Sequence, residues 1–172
     1  MNRHLTPADY TTMPWANGKG STIEMLRVEE NGGLKWRLSR ASVVENGDFS
    51  IFPGVERNLT VLTGPGFDLL GEGLHVPARP LVPVAFAGDV AVRAEGVSAP
   101  SDDFNVMTAR ALPRPEVAVV TGCVQVPQGG LLAVYALRPS VVNGRAVAAQ
   151  DLLLTEGEVR LEGQAIVVRL RS

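Results

Sequence analysis

Histidine and cysteine are nearly missing from this chain of 172 residues, which has two of the first, His4 and His75, and one of the second, Cys123. A single thiol cannot close an intrachain disulfide, and it excludes every metal centre built from several cysteines. The two histidines show neither His-x-His nor His-x-x-x-His spacing, so the imidazole clusters that transition metals draw on in β-barrels are absent. No metal and no cofactor is expected. An excess of one charge is also lacking: 16 Lys and Arg stand against 18 Asp and Glu, for a net charge of −2. The cations are scattered, without the basic surface that phosphate neutralisation needs, so nucleic acid is not an expected partner. No apolar run approaches the ~20 residues of a membrane span, and residues 1–10 hold no signal-like apolar core. The reading is a cytoplasmic protein with no membrane partner. Its composition is compatible with a homodimer.

What the chain has in abundance is glycine (18) and proline (12). The longest stretch free of both runs from residue 34 to 46, which leaves almost no room for helices beyond three turns. Short strands between turns are the alternative. The side-chain pattern agrees: residues 159–162 and 166–171 alternate apolar and polar, as a half-wet sheet requires, and read as two strands joined through Gly163. Asn143-Gly144, between two valine-rich segments, suits a type I′ hairpin. Further apolar runs at 59–62, 67–70, 82–86, 117–120 and 131–137 are bracketed by Gly or Pro. Residues 27–31, 101–112 and 146–156 could each be helical by composition, although Leu152 to Leu154 before Glu156-Gly157 favours a strand. Many short strands point to an all-β barrel or jelly-roll sandwich. Prolines at 77–83 and turn residues at 96–101 place a boundary near residue 100, giving expected units of 1–100 and 101–172 in a single compact arrangement.

Common catalytic signatures are absent. Asn17-Gly18-Lys19-Gly20-Ser21 resembles a phosphate loop, but Gly20 interrupts Lys19 and Ser21 and position 13 is Met, so it reads as a turn into a strand over 22–26. No Gly-x-Ser-x-Gly elbow exists. Cys123, inside an apolar run, reads as a small buried hydrophobe.

Polar residues inside apolar strands carry the chemistry that remains. Alternation puts Arg37, Ser39 and Ala41 on one face, and a guanidinium facing a barrel interior needs an internal carboxylate or an anionic ligand. Glu24, Glu45 and Glu56 are the candidate internal partners. Phe49 to Arg57 brings aromatics, a Pro53-Gly54 turn and the pair Glu56-Arg57 to the entrance of the next strand, where Arg57 could fork onto a carboxylate or sit in an ordinary surface pair. In residues 102–110, Asp103 and Asn105 share a face, a combination that can fix an arginine or read the polar end of a small ligand.

The segment from Trp15 through Asn17 and Gly18 to Glu24, then Trp36 to Ser39, then Phe49 to Arg57, then Asp103 to Met107, together resemble the HutD/Ves family, in the right order over about 100 residues. The resemblance implies a bicupin, two small jelly-roll-type β-barrels of one chain sharing an interface, with few short helices. It also implies a link to histidine utilisation, as a sensor or governor that binds a small carboxylate such as urocanate or formylglutamate. The expected ligand-binding residues are Trp15, Asn17, Arg37, Ser39, Glu56, Arg57 and Asn105, with Arg37 or Arg57 on the carboxylate. No catalytic residue is assigned. A metal-independent isomerase or hydrolase using Glu24 or Glu56 as base, and a protein-interaction scaffold without a small ligand, are the alternatives.

Overall fold

Turn residues cut the chain into short strands throughout. The computed structural model describes residues 2–16, 18 and 20–172, and these form seventeen strands. The first eleven are β1 (Arg3–Leu5), β2 (Thr11–Pro14), β3 (Ser21–Glu30), β4 (Gly33–Val43), β5 (Gly47–Asp48), β6 (Val55–Thr63), β7 (Phe67–Gly71), β8 (Leu74–Ala78), β9 (Val84–Ala87), β10 (Val92–Glu95) and β11 (Ser101–Ala109). The remaining six are β12 (Glu116–Val126), β13 (Leu131–Ala136), β14 (Ser140–Val142), β15 (Arg145–Val147), β16 (Leu152–Thr155) and β17 (Val159–Leu170). A single 3₁₀ turn, Pro7–Asp9, is the helical content among the described residues.

None of the three segments with helical composition is a helix. Residues 27–31 end β3 and enter a hairpin whose central residues, Asn31 and Gly32, have φ of 53° and 77°. A two-residue turn with both φ positive matches the twist of the flanking strands and overrides local helix propensity. Residues 101–109 form β11, paired on both sides, and residues 152–155 form β16. The Asn143-Gly144 hairpin is present, with φ of 51° and 77°.

Gly163 does not separate two strands, because β17 runs unbroken through it. A side chain there would place its Cβ 2.2 Å from Ser140 Oγ, so the glycine is what lets β14 approach its neighbour. Cys123 is exposed rather than buried. It lies on β12, whose one ladder partner is β17, and no residue of that strand is fully buried.

The chain divides into two compact units, Thr11–Ala111, and Met1–Tyr10 together with Leu112–Ser172. The expected boundary at residue 100 falls just before β11, which is hydrogen-bonded between β4 and β6 and therefore belongs with the strands before it. At the other end, β1 pairs with β16 and so joins the C-terminal strands.

The Thr11–Ala111 unit has a six-stranded sheet, β2-β3-β4-β11-β6-β9, and a four-stranded one, β5-β10-β7-β8. Leu59, Val61, Phe67, Leu69, Phe86 and Val92 form its apolar core. The other unit is one seven-stranded sheet in which β17 is central, with β12 along one edge of it and β13 and β14 along the other. Its core holds Leu132, Val134, Val159, Leu161 and Val167. No helix among the described residues is long and apolar enough to cross a membrane.

Candidate functional site

Strand register assembles the site inside the Thr11–Ala111 unit. β11 places Asn105 opposite Ser39 and Met107 opposite Arg37 on β4, while Met107 also faces Arg57 on β6. Directly paired residues point to the same side of a sheet, and so do residues two apart. Arg37, Ser39 and Ala41, then Asp103, Asn105 and Met107, then Arg57 therefore converge on one face. Together with Thr22 of β3, and with Trp15, Phe49, Ser50 and Phe52 from the connecting segments, they line a cavity of about 430 Å³. That volume suits a small metabolite.

Arg57 is the central group. It is 7% exposed, and the rings of Phe49, Phe52 and Phe86 lie 5.4, 5.3 and 4.9 Å from its guanidinium carbon. Its Nη1 donates to the Ser50 carbonyl and its Nη2 to Asn105 Oδ1, both at 3.3 Å, the long end of hydrogen bonding. Its Nε is buried with no hydrogen-bond partner among the described residues. Burial pulls the pKa down to about 10, repulsion from Arg37 adds to this, and attraction from Asp103 opposes it. The group is still a cation at neutral pH. Three aromatic faces stabilise it, and among the described residues no carboxylate forms an ion pair with it.

Asp103 is 1% exposed and accepts a hydrogen bond from Asn105 Nδ2. Burial pushes its pKa up to about 7, with Asp102 adding a little, while Asn105 and Arg57 pull the other way. Asn105 thus bridges the two ionisable groups, its oxygen toward Arg57 and its nitrogen toward Asp103.

Arg37 differs from Arg57 in having its counter-ion: its Nε donates to Glu24 Oε2 at 2.6 Å. Glu24 is one of the three internal partners that the sequence allows. Ser39 is buried beside it. The Trp15 indole donates to Thr22 Oγ1 at 2.9 Å, and its ring covers Gly20 so closely that a Cβ there would come within 2.9 Å of it.

Five of the seven expected residues, Trp15, Arg37, Ser39, Arg57 and Asn105, therefore line one cavity. Glu56 does not line it: Arg57 and Glu56 are neighbours on a strand and point to opposite faces, and Glu56 accepts from Arg110 Nε at 2.7 Å. The surface pair Glu56-Arg57 is therefore not formed. Asn17 lies outside the described residues. Asp103 is legible in the sequence as a face-mate of Asn105 but is not among the seven. Phe86, which faces Arg57 across β6 and β9, has no local signal because the pairing is between distant segments.

A metal ion fits this lining poorly. The cavity presents two guanidinium groups and no imidazole, and among the described residues no group of three or more His, Cys, Asp or Glu is placed to hold a metal.

Curled antiparallel sheets around a half-open cavity of mixed polar and apolar lining define a cupin-like β-barrel protein. The HutD family model matches residues 7–168, and the chain belongs to that family. Over 110 residues it is 43% identical to an uncharacterised 21.2 kDa protein in the hutC 3′ region of Pseudomonas putida, covering 61% of this chain and 57% of that protein. Over 117 residues it is 40% identical to Protein Ves of Cronobacter sakazakii, covering 64% of each. The matches thus span less than two thirds of these curated relatives. Among solved structures, HutD from Pseudomonas fluorescens SBW25, in a formate condition, matches with a TM-score of 0.90 at 29% identity over 100% of both chains. A cupin 2 conserved barrel domain protein from Leptotrichia buccalis shares the fold alone, with a TM-score of 0.59 at 8% identity over 98% of this chain and 96% of that one.

Proposed function

We propose that the Thr11–Ala111 cavity binds a small carboxylate and that the protein acts as a sensor or governor of histidine utilisation rather than as a catalyst. The observation that carries this reading is Arg57, a buried cation with three rings around it and no ion pair among the described residues. Holding such a charge out of water costs several kcal/mol unless an anion joins it. A carboxylate offers two oxygens to the guanidinium fork, and Ser39, Asn105 and the Trp15 ring shape the space for the rest of the ligand. A relative whose name places it in a hutC region, and another named HutD, support a histidine-pathway acid such as urocanate or formylglutamate as the ligand.

A ligand that binds only the folded state raises its apparent melting temperature by mass action. A thermal-shift screen of the two acids and their uncharged amides tests the reading. The acids raise the melting temperature and the amides do not. Equal shifts for acid and amide, or none for either, contradict it.

One observation favours a second reading. A buried carboxylate with a pKa near 7 in a cavity is the form a general acid or base takes, so Asp103 could serve a metal-independent isomerase or hydrolase. Loss of either acid on incubation with the protein, followed by chromatography, decides for that reading.

A further inference from the structure

We propose that a carboxylate enters the cavity together with one proton, taken from solvent by Asp103, so that the ligand replaces Asp103 as the counter-charge of Arg57. This rests on the carboxylate reading above and adds a regulation to it.

The geometry is a buried three-member relay. Arg57 Nη2 donates to Asn105 Oδ1, and Asn105 Nδ2 donates to Asp103. One cation thus serves one interior carboxylate at one remove. A ligand carboxylate arriving at Arg57 adds a second negative charge at the buried floor of the cavity, where Arg57, Asn105 and Asp103 are shielded from water, and two like charges sharing a desolvated site raise each other's pKa. The Asp103 carboxylate responds by taking a proton onto one of its oxygens. No bond of the ligand is made or broken, and the proton comes from water or buffer. The neutral acid gains an O–H that can donate to the ligand.

The other charged groups around Asp103 do not relieve this crowding. On β4, Arg37 is committed to Glu24 of β3. On β5, Asp48 lies at the exposed wall of the cavity and is an anion itself. Asp102, on the same strand as Asp103, points to the opposite face, where it accepts from Ser42 and pairs with Arg40 at 3.8 Å. On β6, Arg57 is the one cation coupled to Asp103 through Asn105. Burial, working against the pull of Asn105 and Arg57, holds the Asp103 pKa up at about 7, so a further anion beside it shifts its proton balance around neutral pH.

Isothermal titration calorimetry tests this, with N-formylglutamate as the probe because both its carboxyl groups stay ionised above about pH 6. Titrations in two buffers of different ionisation enthalpy give the number of protons taken up per ligand bound. That number rises from near zero at about pH 6 toward one at about pH 8, and the Kd grows by up to about tenfold per pH unit above about pH 7. In Asp103→Asn the uptake vanishes and the Kd no longer varies over this range. A wild-type uptake of zero at about pH 8, or an unchanged uptake in Asp103→Asn, overturns the inference while leaving carboxylate binding intact. Absence of binding at about pH 6 overturns both. If Asp103→Asn fails to fold, the wild-type proton count decides alone.

Discussion

Arg57 and Arg169 are both buried arginines on β-strands, one in each compact unit, and they are treated in opposite ways. Arg169 donates to the Gly129 carbonyl at 2.6 Å, the Pro127 carbonyl at 2.9 Å and Glu116 at 3.1 Å, so its fork is filled and its charge is paired. Arg57 has two bonds of 3.3 Å, an unpartnered Nε and three phenylalanine rings. Two buried aspartates repeat the contrast. Asp151 accepts from the Ala148 amide and meets His4 at 2.7 Å, whereas Asp103 has the Asn105 amide and a cavity. Arg169 and Asp151 act as completed structural ties. Arg57 and Asp103 are left short of partners beside a cavity, an arrangement that costs folding free energy and that the proposed carboxylate would offset.

The interiors differ in the same sense. In the C-terminal strands, Leu132, Val134, Ala165, Ile166 and Val168 are fully buried and apolar. On β11, Asp103 and Asn105 stand among Phe104, Val106 and Met107. Both units have a fully buried apolar core, with Leu59, Val61 and Leu69 in the Thr11–Ala111 unit, but of the two the Thr11–Ala111 unit holds the underpartnered Arg57 and Asp103, and the proposed recognition there can be tested directly against the filled side.

The largest expected effect is on the filled side. Ile166→Ala empties a fully buried site and lowers folding stability by about 2–5 kcal/mol in urea denaturation, with carboxylate affinity unchanged for the protein that remains folded. An affinity loss of similar size would join the two regions in one function.

Next comes the pH dependence carried by Asp103. Its folded-state pKa, about 7, lies above the ordinary 3.8, so the folded protein holds a proton that the unfolded chain releases. That contribution is fully present below about pH 4 and is lost as pH rises toward about 7, by at most about 4 kcal/mol. Denaturation midpoints of Asp103→Asn, followed over the same range, lack this component. A profile that Asp103→Asn does not alter would assign the slope to other groups.

Arg57→Ala weakens carboxylate binding by about 1.5–3 kcal/mol, roughly 10- to 150-fold in Kd, by calorimetry. Arg57→Met, which fills the Phe49, Phe52 and Phe86 cage without a charge, melts no lower than the ligand-free wild type, since replacing a poorly paired buried ion with an apolar side chain is often neutral or stabilising. Marked destabilisation by Arg57→Met would make Arg57 a structural tie like Arg169. The smallest effect belongs to Arg37→Ala, about 1 kcal/mol in affinity, because Glu24 already neutralises that guanidinium. A loss equal to that of Arg57→Ala would mean that Glu24 yields Arg37 to the ligand.

Much of this architecture is readable from local pattern. The all-β class follows from Gly and Pro spacing, and the common face of Arg37 and Ser39, and of Asp103 and Asn105, follows from the two-residue pleat. Local pattern cannot say that β11 lies between β4 and β6, and that pairing is what joins those faces into one cavity. The same gap hides the phenylalanine cage, since Phe86 reaches Arg57 only through the β6–β9 pairing. Glu56 is a different case, because the local pleat is enough to separate it from Arg57. Adjacent residues on a strand face opposite ways, and Glu56 goes outward to Arg110. Residues 27–31 mislead because tertiary pairing and the Asn31-Gly32 turn outweigh helix propensity. Cys123 misleads because an apolar run marks a strand without saying whether that strand ends up at an edge.

The most direct measurement is a crystal structure of the protein with saturating N-formylglutamate. A carboxylate group with both oxygens roughly 2.7–3.2 Å from the Arg57 guanidinium, inside an otherwise unchanged ring of Phe49, Phe52 and Phe86, is the predicted result. A ligand seated elsewhere, or one that turns an uncharged end to Arg57, would contradict it.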